Sequence, residues 1–103
     1  MFDNHDNEPE KIVCAAIWFK NFPSPQYTVK NVEGLVMCGF RHGYIISQFY
    51  LLTNKSLAKA GPSVQGFLTS KNRFVDRSEA IEIYRSCGLE PEYENELYSE
   101  DLY

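Results

Sequence analysis

Residues 76–88 constrain the fold more tightly than any other stretch of the chain. Asp76 carries a short acceptor side chain suited to a helix N-cap, and Glu79 stands three residues later. Asp76-Arg77-Ser78-Glu79 therefore has the form of a capping box, in which each side chain satisfies a backbone N–H at the helix start. Ala80, Ile83, Tyr84 and Cys87 follow at i, i+3, i+4 and i+7, one apolar stripe along a helix. Gly88 suits the helix end, and Pro91 prevents continuation. So short a helix persists only if its stripe is buried, so the rest of the chain must supply a sheet for it to pack on.

The preceding residues begin that sheet. Gln65-Gly66-Phe67-Leu68-Thr69 reads as a strand, Ser70-Lys71-Asn72-Arg73 as a turn, and Phe74-Val75 as the returning strand, together a short hairpin. Residues 11–19 are rich in Ile, Val, Ala, Trp and Phe and predict another strand. Pro23 and Pro25 make a loop of residues 21–25, and residues 27–32 could form a short edge strand. Residues 34–40, apolar at Leu35, Val36, Met37 and Cys38, predict a strand covered on both faces, by a helix or by a partner chain. Residues 41–53 predict a second helix, with Ile45, Ile46, Phe49, Tyr50 and Leu52 on a wide apolar face. The expected fold is α+β: a small antiparallel sheet with two amphipathic helices packed on it. A domain spanning residues 11–88 lies between an acidic, disordered end (residues 1–10) and an acidic tail (residues 89–103). The leucines and tyrosines near the end of that tail suggest that it docks.

A chain of 103 residues makes one domain. It hides only about 65% of the surface its unfolded form exposes, so its core is thin and oligomerisation would help it. We therefore expect at least a homodimer, with the strand at Leu35 to Cys38 buried by the partner. No apolar run approaches the ~20 residues of a membrane helix, and the polar, acidic first ten residues lead us to expect no signal peptide. Three cysteines without metal-type spacing, Cys14, Cys38 and Cys87, predict shielded, reduced thiols and a cytosolic protein.

The net charge of -4 conceals a division. All ten Lys and Arg lie between Lys11 and Arg85, against only Glu33, Asp76, Glu79 and Glu82, which leaves the middle at +6. Simple charge balance accounts for this; so does a basic phosphate site whose acidic flanks repel bulk nucleic acid. No metal-ligand spacing, P-loop, dinucleotide fingerprint or nucleophile elbow is present, and no cofactor is implied. Asp76 and Glu79 could be an acid/base pair, but capping explains both. Arg77 falls on a helix start, where backbone donors favour anions, with Lys71, Asn72 and Arg73 on the turn before it. Arg41 and His42 open the first helix in the same way. Each arginine has the plainer reading of a solvated charge, and His42 that of a structural donor. Among the aromatics, Phe67 and Tyr103 are expected to be partly free for stacking on a base.

Arg41-His42, the block from Gln65 through Arg77 to Ala80 (its most specific part being GFLTSKNRFVDRSEA), Ser86-Cys87-Gly88 and the final Ser99-Glu100-Asp101-Leu102-Tyr103 resemble small bacteriophage proteins of the first-described Thoeris anti-defence family. The resemblance covers roughly residues 11–103, poorly over 19–33 and 54–64. It implies a sponge that sequesters cyclic ADP-ribose isomers, the signals of bacterial TIR-domain enzymes, without cleaving them. Some members also take up cyclic oligonucleotides of the CBASS system. It further implies dimers that assemble into hexamers, working in the cytoplasm of the infected host with no membrane partner. Carried over residue by residue, the pocket arginine and its neighbouring acid become Arg77 and Asp76. The aromatic contact becomes Phe67, and Arg41 and His42 belong to the other side of the pocket. The acidic segment 90–96 and the Arg85 that leads into Ser86-Cys87-Gly88 depart from the pattern, which puts the C-terminal contact and a second site in doubt. Two other classes stand beside this reading: a small nucleotide-cleaving enzyme with His42 as its base, and an adaptor that binds a protein through the acidic tail.

Overall fold

The computed structural model describes residues 8–25 and 28–103. Its centre is strand β1 (Ile12–Phe19), in which Ala15, Ala16, Ile17 and Phe19 are fully buried. Consecutive buried residues on a strand require cover on both faces, and β1 has neighbours on both edges as well. Strand β2 (Leu35–Gly39) pairs with one edge and β3 (Ser63–Thr69) with the other. Strand β4 (Phe74–Asp76) pairs outside β3. The order is β2-β1-β3-β4, with every neighbouring pair antiparallel.

Helices α1 (His42–Thr53) and α2 (Arg77–Ser86) cover one face. Ala15, Ile17 and Phe19 of β1, Phe67 of β3 and Val75 of β4 meet Ile45 and Phe49 of α1 and Ala80 and Ile81 of α2 there. Phe19 stacks on Phe49 at 4.1 Å between ring centroids, and Phe22 meets both rings edge-on. Leu97 of the acidic tail closes this core and is fully buried. The fold is the small antiparallel α+β sheet with two helices that the periodicities predict. No described helix is long and apolar enough to cross a membrane.

The other face is covered by a loop. Ala16, Phe74 and Val29 form a second core, with Trp18, Val32, Val36, Val64 and Leu68 packed around it. The expected edge strand at 27–32 is absent over residues 28–32, which are irregular; Tyr27 lies outside the described residues. The reason is visible at Asn31. Its side-chain amide donates to the Phe74 carbonyl at 2.7 Å, and its carbonyl oxygen accepts from the Phe74 N–H at 2.8 Å. One side chain thus satisfies backbone groups on the outer edge of β4 that a fifth strand would otherwise meet. Asn72, in the left-handed region at φ 58°, receives the Lys30 N–H at its carbonyl and donates its amide to the Thr28 carbonyl.

Two further expectations change. Residues 1–7 lie outside the described chain, but Glu10, assigned to the frayed end, is held by Arg73 and Thr69. Strand β2 does not present a bare apolar face to a partner. Leu35 and Met37 pack toward the helices, and Val36 packs under the loop.

Gly66 sets the tightest steric condition in the sheet. A Cβ there would stand 2.0 Å from the Val75 carbonyl oxygen and 3.0 Å from the Asp76 Cα. Gly43, in the first turn of α1, has open space around its Cα and an ordinary φ. The same substitution should therefore have opposite signs at the two sites. Gly66→Ala should destabilise the fold by about 3 kcal/mol through overpacking against backbone, whereas Gly43→Ala should stabilise it by about 0.4–1 kcal/mol. Urea unfolding of the two variants measures this; equal shifts would contradict the packing described at β4.

Candidate functional site

Helix α2 starts as its capping box dictates. The Glu79 N–H donates to Asp76 Oδ1 at 2.8 Å, and the Asp76 N–H donates to Glu79 Oε1 at 3.1 Å. Because β4 has only three residues, Arg77 leaves the sheet directly beside Gln65 and Gly66 of β3. Its Nη2 donates to Gln65 Oε1 at 3.0 Å and lies 3.3 Å from His42 Nδ1. Its guanidinium carbon stands 4.7 Å from the centre of the Tyr98 ring, at stacking distance. Its Nε is buried and has no hydrogen-bond partner.

His42 is buried at the start of α1, edge-on to Phe67. Its Nε2 lies 2.8 Å from the Gly66 carbonyl, which can only accept, so Nε2 carries the proton and Nδ1 accepts from Arg77. Burial holds its pKa below the ordinary 6.5, and the Arg77 charge acts in the same direction. The hydrogen bond to Gly66 and the Glu100 charge oppose that shift without reversing it. His42 is thus a neutral spacer between the sheet and Arg77.

The tail completes the site. The Leu97 N–H donates to the Arg77 carbonyl at 3.1 Å, and Tyr98 Oη donates to Glu96 Oε1 at 3.0 Å. That bond to a carboxylate raises the Tyr98 pKa. Arg41 holds the tail further along, donating Nη1 to the Ser99 carbonyl at 2.6 Å and Nη2 to the Tyr103 carbonyl at 2.7 Å. The Phe40 and Tyr103 rings stack at 4.3 Å, with the Arg41 guanidinium within 4.4 Å and 5.0 Å of their centres. Between the tail and the sheet lies a shallow cleft of about 440 Å³, lined by Ser63, Val64, Gln65, Asp76, Arg77, Ser78 and Glu96.

The eight residues singled out from the sequence therefore separate. Asp76 and Arg77 line the cleft, and His42 sits behind Arg77. Arg41 and Tyr103 belong to the tail lock, and Tyr103 is about half exposed. Phe67 was expected to be partly free and is fully buried, because its strand position points to the helix side. Asn72 and Arg73 sit at the opposite end of β4 from Arg77. Asn72 anchors the covering loop. Arg73 donates Nε to Glu10 Oε2 at 2.8 Å and Nη2 to Glu10 Oε1 at 3.2 Å, and this holds the Glu10 carboxyl below its usual range. Gln65, Ser78, Glu96 and Tyr98 were not foreseen as site residues. Gln65 had a signal, since it stands two residues before Phe67 on the hairpin and precedes the obligatory Gly66. Glu96 and Tyr98 reach the site only through the docking of the tail.

The thiols also differ from expectation. Cys38 is exposed, and Cys14 and Cys87 are only partly buried, although all three are free. Among the described residues, no group of three His, Cys, Asp or Glu is placed to hold a metal ion.

The neutral state of His42 has a consequence for stability. Its folded pKa is depressed, so below pH 6.5 the unfolded chain takes up a proton that the folded chain refuses. Stability should be fully present above that pH and fall as pH is lowered through the window beneath it. Urea midpoints at pH 7.5 and 5.5 should decline for the native chain and decline less for His42→Gln. Parallel declines would mean that His42 is not the group that titrates.

No match was found among curated proteins or among solved structures. A family model does match, over residues 11–103, which includes all four strands, both helices and the docked tail. The chain belongs to the phage T4 y16D protein family, and so is a phage protein.

Proposed function

We propose that this phage protein is a sponge: it binds a small anionic cyclic nucleotide, a cyclic ADP-ribose isomer, and withholds it intact as an anti-defence measure. The observation that carries this reading is the setting of Arg77. Its guanidinium is braced by Gln65, His42 and the Tyr98 ring at the mouth of a cleft that also holds Asp76, Ser78 and Glu96. A guanidinium at a helix start suits a pyrophosphate. Two carboxylates would repel a bare polyanion, but they suit the hydroxyls of a ribose. A ligand bearing both phosphates and ribose diols matches that mixture better than inorganic phosphate or bulk nucleic acid does. The bracing also lowers the cost of ordering Arg77 on binding, which favours tight sequestration.

Cleavage fits less well. An enzyme with His42 as its base needs a ring nitrogen facing the ligand, and both nitrogens of His42 are engaged by protein groups.

The partner-facing surface of a homodimer moves from β2 to α1. Helix α1 contains no charged residue, and Tyr44, Tyr50, Leu51 and Leu52 are more than half exposed on its outer side and flanks. Taken at ordinary side-chain sizes, these four offer about 500 Å² per chain. Two copies reach about 1,000 Å² in a self-complementary contact, the lower bound of a specific interface. Light scattering should give twice the chain mass at micromolar concentration, and Leu51→Glu should return a folded monomer. A native monomer would sink this arrangement.

Loss of Arg77 removes charge-assisted hydrogen bonds worth about 1.5–3 kcal/mol each. Arg77→Ala should weaken binding of a cyclic ADP-ribose isomer by roughly ten- to a hundredfold in calorimetry. Asp76→Ala should in addition lower stability by about 1 kcal/mol through loss of the cap. Unchanged affinity in a folded Arg77→Ala protein would place the ligand elsewhere.

A further inference from the structure

Cys14 and Cys38 stand outside the cleft and play no part in the reading above. The β1–β2 ladder pairs Ala16 with Cys38, and Cys14 lies two residues before Ala16. Cys14 and Cys38 are therefore diagonal neighbours on adjacent strands, with their side chains on the loop-covered face. The two thiols are near enough to perturb each other's ionisation. Cys38 is exposed and lines a cleft of about 280 Å³ with Pro25, Val29, Val36 and Leu68, and Cys14 on the neighbouring strand is partly buried. Cys87 lies far along the chain, near the Glu10 carbonyl, and has no thiol partner there.

We propose that Cys14 and Cys38 are a reversible dithiol–disulfide site, oxidised by a low-molecular-weight disulfide. The chemistry follows from the pairing. The neighbouring Cys38 thiol lowers the Cys14 pKa to about 7 against the opposing effect of burial, and the Cys38 pKa is raised by Cys14 and by burial. A thiol whose pKa is near ambient pH is the best placed to attack a disulfide. The Cys14 thiolate attacks one sulfur of the small disulfide; the Cys14–S bond forms, the reagent's S–S bond breaks, and one small thiolate leaves. That thiolate takes the Cys38 proton. The Cys38 thiolate then attacks the Cys14 sulfur, the protein disulfide forms, and the second small thiolate leaves to be protonated by water. The protein gives up two electrons and two protons, and the small disulfide becomes two thiols.

Diagonal strand positions are wider apart than a disulfide prefers, so the strand ends must close slightly. The place allows it. The β1–β2 pairing ends at Ala15–Gly39, and β1 is irregular between Ile12 and Cys14. Strand β2 is an edge strand that leads through Phe40 to Arg41, whose guanidinium holds the tail. Oxidation therefore ties the edge strand to the sheet centre just before the tail lock.

The test is to treat the native protein with glutathione disulfide at pH 7.5, trap remaining thiols with iodoacetamide, and map tryptic peptides by mass spectrometry. Each cysteine falls in its own peptide: residues 12–20, 31–41 and 86–103. The expected product joins 12–20 to 31–41, two hydrogens lighter than the sum, and dithiothreitol reverses it. Cys87→Ser should leave its yield unchanged. Cys38→Ser should stop the reaction at a glutathione adduct on Cys14. Independent glutathione adducts on all three cysteines with no cross-linked peptide, or cross-links that involve Cys87 equally, would overturn the proposal. Because Cys14→Ser and Cys38→Ser could each alter packing, circular dichroism of both reduced variants must match the native spectrum. A missing cross-link in the folded, native chain overturns the proposal regardless of the variants.

Discussion

The candidate site depends on the backbone at Gly66 being bare. Any side chain there would collide with the Val75 carbonyl. Without that close approach β4 could not lie against β3, and Asp76 could not stand opposite Gly66 to cap α2. The same residue's carbonyl accepts a hydrogen bond from the Nε2–H of His42, which fixes the tautomer whose Nδ1 accepts from Arg77. One glycine thus positions the helix start, the histidine and the guanidinium together. This is also why three residues suffice for β4. The strand's task is to deliver the chain to the head of α2, and its outer edge is satisfied by Asn31.

Local order was legible in the sequence wherever short-range chemistry decides it. The capping box of α2, the hairpin at residues 65–75 and the apolar run of β1 all follow from spacing and propensity, and the first of these points to Asp76 and Arg77. What could not be read were contacts made across the chain. Glu10 meets Arg73 from sixty-three positions away, so the acid that neutralises Arg73 lay in a segment that composition marks as frayed. Arg41 binds carbonyls of residues 99 and 103, which no local pattern can announce. The burial of Phe67 is not legible because strand alternation gives two faces without saying which face the helices cover. The irregular cover at residues 28–32 is not legible because a side-chain amide, that of Asn31, can do the work of a strand edge.

These long-range pairings also redistribute the charge. The basic middle of the chain is not a uniform patch, since Arg73 is matched by Glu10 and Arg41 by the tail carbonyls. At the cleft Arg77 shares its space with Asp76 and Glu96. On the proposed reading, one braced guanidinium beside two carboxylates suits a compact ligand with both anionic and hydroxyl groups better than an extended nucleic acid backbone, which needs several uncompensated cations. The acidic tail, by docking Leu97 and Tyr98, supplies part of the cleft as well as part of the charge balance.

The central claim is capture without cleavage. The most direct measurement exposes the native protein to the products of an activated TIR-domain enzyme, removes unbound material, denatures the protein by heat and identifies the released small molecules by mass spectrometry. The account predicts an intact cyclic ADP-ribose isomer in amounts that approach the number of sites. Release of a linear or hydrolysed nucleotide, or of no nucleotide at all, would contradict it.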